Sequence, residues 1–316
     1  MRATARRLFL SAFRQAIRPL REGTREPMIE ALLPKTRPIL LAPRIAQQAG
    51  FSGLLVEGAN GVICGSEVHQ DALGCYAALK TWAPYHMSLF GDLFRPHGGT
   101  YLDIGANIGL TLVPIARHAD VDCHAFEPSP DNLWYLCRNV SMNGRGDNVQ
   151  IHAIALCDRD GDLTFELAPK ASGDNRIRLG TESDDQLNEK ARPTIRVPGR
   201  RLDAMLPQPI RRPLGIKIDT QGAEPLVVSG GSAVFAQADL VSMEFWPYGL
   251  FRLDGDVAGL IAFCRDHYRE GSASEEGDRE HAAPEWRPMA EIADILAQYS
   301  AHRSSPERYL NVLMRC

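Results

Sequence analysis

The feature that most restricts what this chain can become starts at Thr100, where short apolar runs begin to alternate with helical ones. Residues 101–104 read as a strand, 108–118 as a helix, 121–126 as a strand, 130–143 as a helix and 149–156 as a third strand. A crossover helix returns the chain to lay the next strand parallel to the last, so this alternation specifies a parallel sheet. The second helix carries its own start signals. Ser129 stands at the N-cap, Pro130 at the first helical position, and Leu133, Leu136, Cys137 and Val140 fall on one face. The expectation is an α/β chain, mostly parallel, with helices on both faces of the sheet.

The pattern breaks at 158–212, a polar interruption with strands expected at 163–167 and 194–197 around a charged loop. The sheet resumes with a strand at 214–218, a short helix from Ala223 and a strand at 239–245. A helix at 257–267, an acidic loop at 270–285, a helix at 289–300 and a strand at 309–314 follow. Ahead of the core, 70–94 reads as helical. Segments 53–57 and 61–65 flank Asn60-Gly61, a hairpin signal because both residues tolerate positive φ.

The first 50 residues read as a proline-interrupted helical arm. Within the first 25, Arg2, Arg6, Arg7, Arg14, Arg18, Arg21 and Arg25 are answered only by Glu22, with Leu8, Phe9, Phe13, Ile17 and Leu20 at roughly helical spacing. Such an arm suits peripheral contact with a membrane surface, a transit-type peptide, or a helix that packs on its own domain or frays in solvent. The chain then divides into that arm (1–50), a hairpin and helix leading inward (51–99), and a core domain (100–316) with an insertion at about 158–212 that should cover its cleft.

Composition narrows the partners. A net charge of −4 over 316 residues gives no reason to expect nucleic acid. No apolar run approaches the roughly 18–20 residues of a membrane span. The seven cysteines form no CxxC pair, which suits buried free thiols in a reducing cytoplasm. Oligomeric state leaves no mark in the sequence.

Three constellations carry chemistry. The first is Asp103-Ile-Gly105-Ala-Asn107-Ile-Gly109, at the end of the first core strand. Glycines there let a ligand approach the backbone. The third glycine of the dinucleotide pattern is missing, and Asp103 sets a carboxylate where a cation, not a pyrophosphate, is received. S-adenosylmethionine, with its ammonium and sulfonium, suits that charge. The second is Glu127, about twenty residues on at the end of the next strand, where an acidic side chain accepts hydrogen bonds from ribose hydroxyls. The third is Lys217-Ile-Asp219-Thr-Gln221-Gly222-Ala-Glu224, after the fourth strand. Lys217 and Asp219 share a face, and Asp219 is the candidate base or acceptor-orienting group. Lys217 and Glu224 are candidates beside it, Glu224 also being suited to helix entry. Asn175 and Arg176 in the interruption, and Glu244 and Trp246 after the fifth strand, are candidate acceptor contacts. No metal is expected: Asp219 and Glu244 are two carboxylates without a third ligand in clear spacing.

These motifs, with Phe126-Glu127-Pro128-Ser-Pro-Asp-Asn132, Asn139 and Arg201-Leu202-Asp203, closely resemble the FkbM family of methyltransferases from about residue 50 to 246. The resemblance implies a Rossmann-like class I methyltransferase with a seven-stranded sheet, here with an N-terminal helical and hairpin extension. It implies S-adenosylmethionine as cofactor and a small-molecule, glycan or lipid acceptor. O-methylation of a sugar, glycolipid or polyketide-type hydroxyl is the expected reaction, O- against N-methylation being undecided. Gln221 departs from the family, where many relatives carry Glu. Two other readings stay open: an NAD-dependent oxidoreductase, which shares the ribose carboxylate, and a non-catalytic binding module on the same fold.

Overall fold

The computed structural model describes residues 54–316 apart from 145, 170, 179–185, 207, 254 and 276–282. The expected arginine-rich arm, with its membrane contact, lies outside the described residues. The described chain opens with a hairpin, β1 (Leu54–Gly58) and β2 (Gly61–Gly65). Gly58 pairs with Gly61, so Ala59 and Asn60 form the tip, and Gly61 takes the positive φ, at 117°. The helical stretch expected at 70–94 is two helices, α1 (Gln70–Leu79) and α2 (Pro84–Phe94). Lys80 and Ala83 adopt left-handed conformations between them, and Pro84 lacks the amide that continuity would need.

The core then runs β3 (Gly99–Ile104), α3 (Leu112–Ala116), β4 (Val121–Phe126), α4 (Pro130–Met142) and β5 (Val149–His152). All six residues of β3 are buried, as expected of a central strand covered on both faces. Leu102 and Ile104 pack into one apolar cluster and Tyr101 into the other, the two-residue period of a strand. The helix expected at 108–118 shrinks to α3, because Gly109 turns at φ 89° and the chain becomes helical only beyond it. Ser129 makes no side-chain cap on α4. Cys137 is exposed; the helix buries Asn132, Leu136, Asn139 and Val140 instead.

The strand expected at 149–156 splits. β5 joins the main sheet, while β6 (Ala155–Leu156) enters a second sheet with β7 (Gly161–Glu166), β8 (Arg176–Ile177) and β9 (Thr194–Arg200), in the order β6-β9-β7-β8. The polar interruption is thus a small sheet of its own. After it come β10 (Leu214–Ile218), α5 (Glu224–Gly230), α6 (Ser232–Phe235), β11 (Leu240–Phe245), α7 (Pro247–Arg252), α8 (Val257–His267), β12 (Glu270–Glu275), β13 (Arg287–Pro288), α9 (Met289–Tyr299) and β14 (Leu310–Arg315).

The main sheet has the order β13-β12-β14-β11-β10-β3-β4-β5. Strands β5, β4, β3, β10 and β11 are mutually parallel; β14 runs against both β11 and β12. This is a mostly parallel seven-stranded sheet with the two-residue β13 added at one edge. The acidic loop expected at 270–285 begins as strand β12. Glu270 pairs with Arg315 at 2.7 Å and Glu275 with Arg308, so β14 supplies or flanks the charges that Glu270–Glu275 lacks. Of the seven free cysteines, Cys123, Cys157 and Cys264 are buried, but Cys75, Cys137 and Cys316 are exposed. No described helix is long and apolar enough to cross a membrane.

Candidate functional site

The carboxyl ends of β3, β4, β10 and β11 open on a cavity of about 550 Å³. In an open α/β sheet this is where ligands bind, because the loops leaving the strands diverge there. The β3 turn is tight. Gly105 sits at φ 76°, and a Cβ on it would lie 1.9 Å from the Asp219 carbonyl oxygen. Only glycine lets the β3 and β10 turns come this close. Asn107 follows at φ 49°.

Asp103 is fully buried and does not line the cavity. Its Oδ2 accepts a hydrogen bond from Thr111 Oγ1 at 2.6 Å, and its Oδ1 lies 3.5 Å from Lys217 Nζ. Burial raises its pKa, against the opposing pull of Lys217 and Thr111. Lys217 Nζ donates to the Gly105 carbonyl at 2.7 Å and lies 3.8 Å from Asp219. Burial pushes the Lys217 pKa down, but Asp103 and Asp219 beside it more than offset this and hold it above the ordinary value. The lysine therefore stays charged and ties the β3 turn to the β10 turn. Gly109 also stands off the cavity, facing Leu136.

Glu127, at the end of β4, is buried and lines the cavity. Its Oε2 accepts from the Asn107 amide at 2.9 Å; its Oε1 accepts from the Ser129 amide at 2.9 Å and from Asn132 Nδ2 at 3.3 Å. Burial raises its pKa to about 7 against these three donors. A carboxylate offers about four acceptor positions, so capacity remains for a ligand hydroxyl.

Asp219 presents a different picture. Its side chain is 38% exposed and lines the cavity. Gln221, at φ 56°, donates from Nε2 to Asp219 Oδ1 at 2.8 Å and to Glu244 Oε2 at 2.9 Å. An amide donor thus bridges the two carboxylates. Among the described residues, no group of three or more His, Cys, Asp or Glu is placed to hold a metal ion. Glu224 turns away from the cavity. It accepts from the Thr220 and Gly222 amides at 2.6 and 3.0 Å and closes the turn before α5, and burial raises its pKa to about 7.

Of the expected acceptor contacts, Asn175, Glu244 and Trp246 line the cavity and Arg176 does not. Arg176 is a correction. Its side chain is 1% exposed and bound to Glu166, Asp174 and Glu189, so its charge is spent inside the insertion. An unpaired guanidinium in that apolar setting would be costly, and the three carboxylates hold it there. Trp246 Nε1 donates to the Pro306 carbonyl at 3.0 Å, which fixes the indole in the cavity wall. Two buried polar atoms on cavity residues, Asn107 Oδ1 and Ser172 Oγ, have no hydrogen-bond partner.

One wall was missing from the sequence expectations. Val68, His69, Asp71, Ala72, Cys75 and Trp82 line the cavity from the segment before the core. That segment shows no motif of its own. The signal available was the spacing of Asn132 and Asn139 on α4 and Asn143 at its C-cap, an amide stripe that needs a partner.

The sheet order, the antiparallel β14 set between β11 and β12, and a carboxylate at the tip of β4 beside a glycine turn define a class I methyltransferase fold. More narrowly, the chain belongs to the FkbM methyltransferase domain family, whose model matches residues 103–268. S-adenosylmethionine is the methyl donor of that family, and the dinucleotide reading gives way to it. Solved structures with similarity include TYW2 from M. jannaschii in complex with AdoMet, at 11% identity over 84% of this chain and 85% of that one, TM-score 0.35. A putative O-methyltransferase from Klebsiella pneumoniae shares 13% identity over 73% and 79%, TM-score 0.37. A putative methyltransferase from Streptococcus mutans, in complex with SAH, shares 8% over 73% and 96%, TM-score 0.36. No curated protein matches the chain.

Proposed function

We propose that this chain transfers a methyl group from S-adenosylmethionine to a hydroxyl on an oxygen-rich small molecule, of sugar, glycolipid or polyketide type. The observation that carries the reading is one cavity lined by Glu127 at one strand tip and Asp219 at another, two strands apart in the sheet.

The residues present fit the cofactor. Glu127 has acceptor capacity for ribose hydroxyls, and the orphaned Asn107 Oδ1 awaits a donor. Asp103 acts behind the wall, holding Lys217 and the turn rather than touching the ligand. When bound, the cofactor supplies an electrophilic methyl on a sulfonium. The protein's task is then placement and proton removal. Placement alone can supply roughly 7–11 kcal/mol of barrier lowering. Asp219 takes the proton of the acceptor hydroxyl, oriented by Gln221 through Oδ1. Trp246 and Asn175 border the acceptor end, and Lys217 keeps the base beside a fixed positive charge.

The test is transfer of labelled methyl from S-adenosylmethionine to pools of glycans, lipids and polyketides. Labelled product from one pool, lost in Asp219→Asn with cofactor affinity kept, supports the reading. Loss of cofactor binding in that variant would refute the role given to Asp219.

A further inference from the structure

We propose that His69 is a positioning residue for Glu127, and that residues 61–82, which precede the family-matched domain, complete the cofactor site. The inference rests on the reading of Glu127 as the ribose-binding carboxylate. It begins with the stripe on α4. Asn143 pairs with the Val62 backbone through both amide atoms, accepting from its N–H at 3.0 Å and donating to its carbonyl at 2.8 Å. Asn139 does the same with Cys64, at 2.8 and 2.9 Å, and also donates to the Ile108 carbonyl in the glycine turn. Side-chain amides thus stand in for a neighbouring strand along the open edge of β2. The hairpin is fastened to the helix that follows Glu127.

Asn132 continues the stripe one step nearer the cavity, and its partner is a side chain. The Ser66 amide donates to His69 Nδ1 at 3.0 Å. A nitrogen that accepts from a backbone N–H carries no proton, so the proton of the neutral ring is on Nε2. His69 Nε2 therefore donates to Asn132 Oδ1, 3.1 Å away. That leaves the Asn132 NH₂ group facing Glu127 Oε1 at 3.3 Å. The relay has one direction: Ser66 amide to His69, His69 to Asn132, Asn132 to Glu127. His69, Asn132 and Glu127 are each no more than 4% exposed and all line the cavity. Tyr135 meets the His69 ring edge-on at 4.9 Å and limits its rotation. Burial lowers the His69 pKa, against smaller opposing effects of Asn132, Asp131 and Ser66, which favours the neutral ring that the relay requires. Without His69 the Asn132 amide is free to reverse, setting an oxygen against the carboxylate.

The experiment titrates the full chain with S-adenosylhomocysteine in a calorimeter. His69→Ala is expected to weaken binding about tenfold, the effect of one hydrogen bond to a charged group. His69→Gln should bind within about twofold of the unmodified protein, since its amide N–H reaches Asn132 as the ring does. In a Glu127→Ala background, His69→Ala should cost nothing further. A His69→Ala protein that binds normally, or an equal loss with and without Glu127, overturns the positioning role. Failure of the unmodified protein to bind, or normal binding by Glu127→Ala alone, overturns the cofactor reading beneath it. Should His69→Ala not fold, Asn132→Leu enters the same cycle in its place.

Discussion

Glu127 and Asp219 occupy equivalent places in the fold, each just beyond a parallel strand and on one cavity, yet their surroundings differ. Glu127 is enclosed, and three nitrogen donors converge on it. Asp219 is more than a third exposed and has a single side-chain amide and a distant lysine beside it. The contrast teaches that position at a strand tip supplies only a direction. What the carboxylate can do follows from how many donors already hold it. One held in place by three donors, with acceptor capacity left for a ligand hydroxyl, suits binding; one with an open oxygen at the cavity suits proton transfer.

The comparison is most sharply tested by Asp219→Asn, which should reduce turnover roughly 10²–10⁴-fold, the span of a positioned base. S-adenosylhomocysteine affinity, measured by calorimetry, should stay nearly unchanged. Glu127→Ala should reverse the pattern, weakening that affinity by about 10–100-fold as charge-assisted hydrogen bonds are lost. If both variants lost affinity equally, the division between the two strand tips would not stand.

A third expectation concerns pH. Glu127 titrates near 7 when folded against 4.5 as a free side chain. Its contribution to the stability of the unliganded protein is therefore full below pH 4.5 and is lost as pH rises through about 7. Ligand hydroxyls donate best to the ionised form, so S-adenosylhomocysteine affinity should move the opposite way, tightening as pH passes 7. Titrations at pH 6 and 8 check this, and Glu127→Gln should remove the slope. The smallest effect is expected from Gln221→Glu, which replaces the donor between Asp219 and Glu244 with a third carboxylate. Turnover should fall about threefold to tenfold through loss of one orienting hydrogen bond, with cofactor affinity unmoved.

Much of this was legible beforehand. The alternation from Thr100, the glycine turn, Glu127 and Asp219 all stand in the sequence, because strand–helix periodicity and turn chemistry are local. Arg176 was misplaced for the opposite reason. A basic residue beside Gly173 and Asn175 looks available for substrate, and nothing nearby in sequence announces that Glu166 and Glu189 enclose it. Strand β12 was hidden similarly, since Glu270–Glu275 has neither β-branched residues nor alternating apolar ones, and its partners lie on β14 or beside it.

By itself, then, the order of residues determined the class of sheet, the turn that needs Gly105 and the carboxylates at two strand tips. Tertiary structure alone decided which of those carboxylates stays open to the cavity, and that Asp103 and Glu224 brace turns and do not line it. It alone brought His69 to Asn132. The physical reason is distance along the chain: backbone preferences act between neighbours, whereas burial and hydrogen-bond saturation depend on groups that only folding assembles.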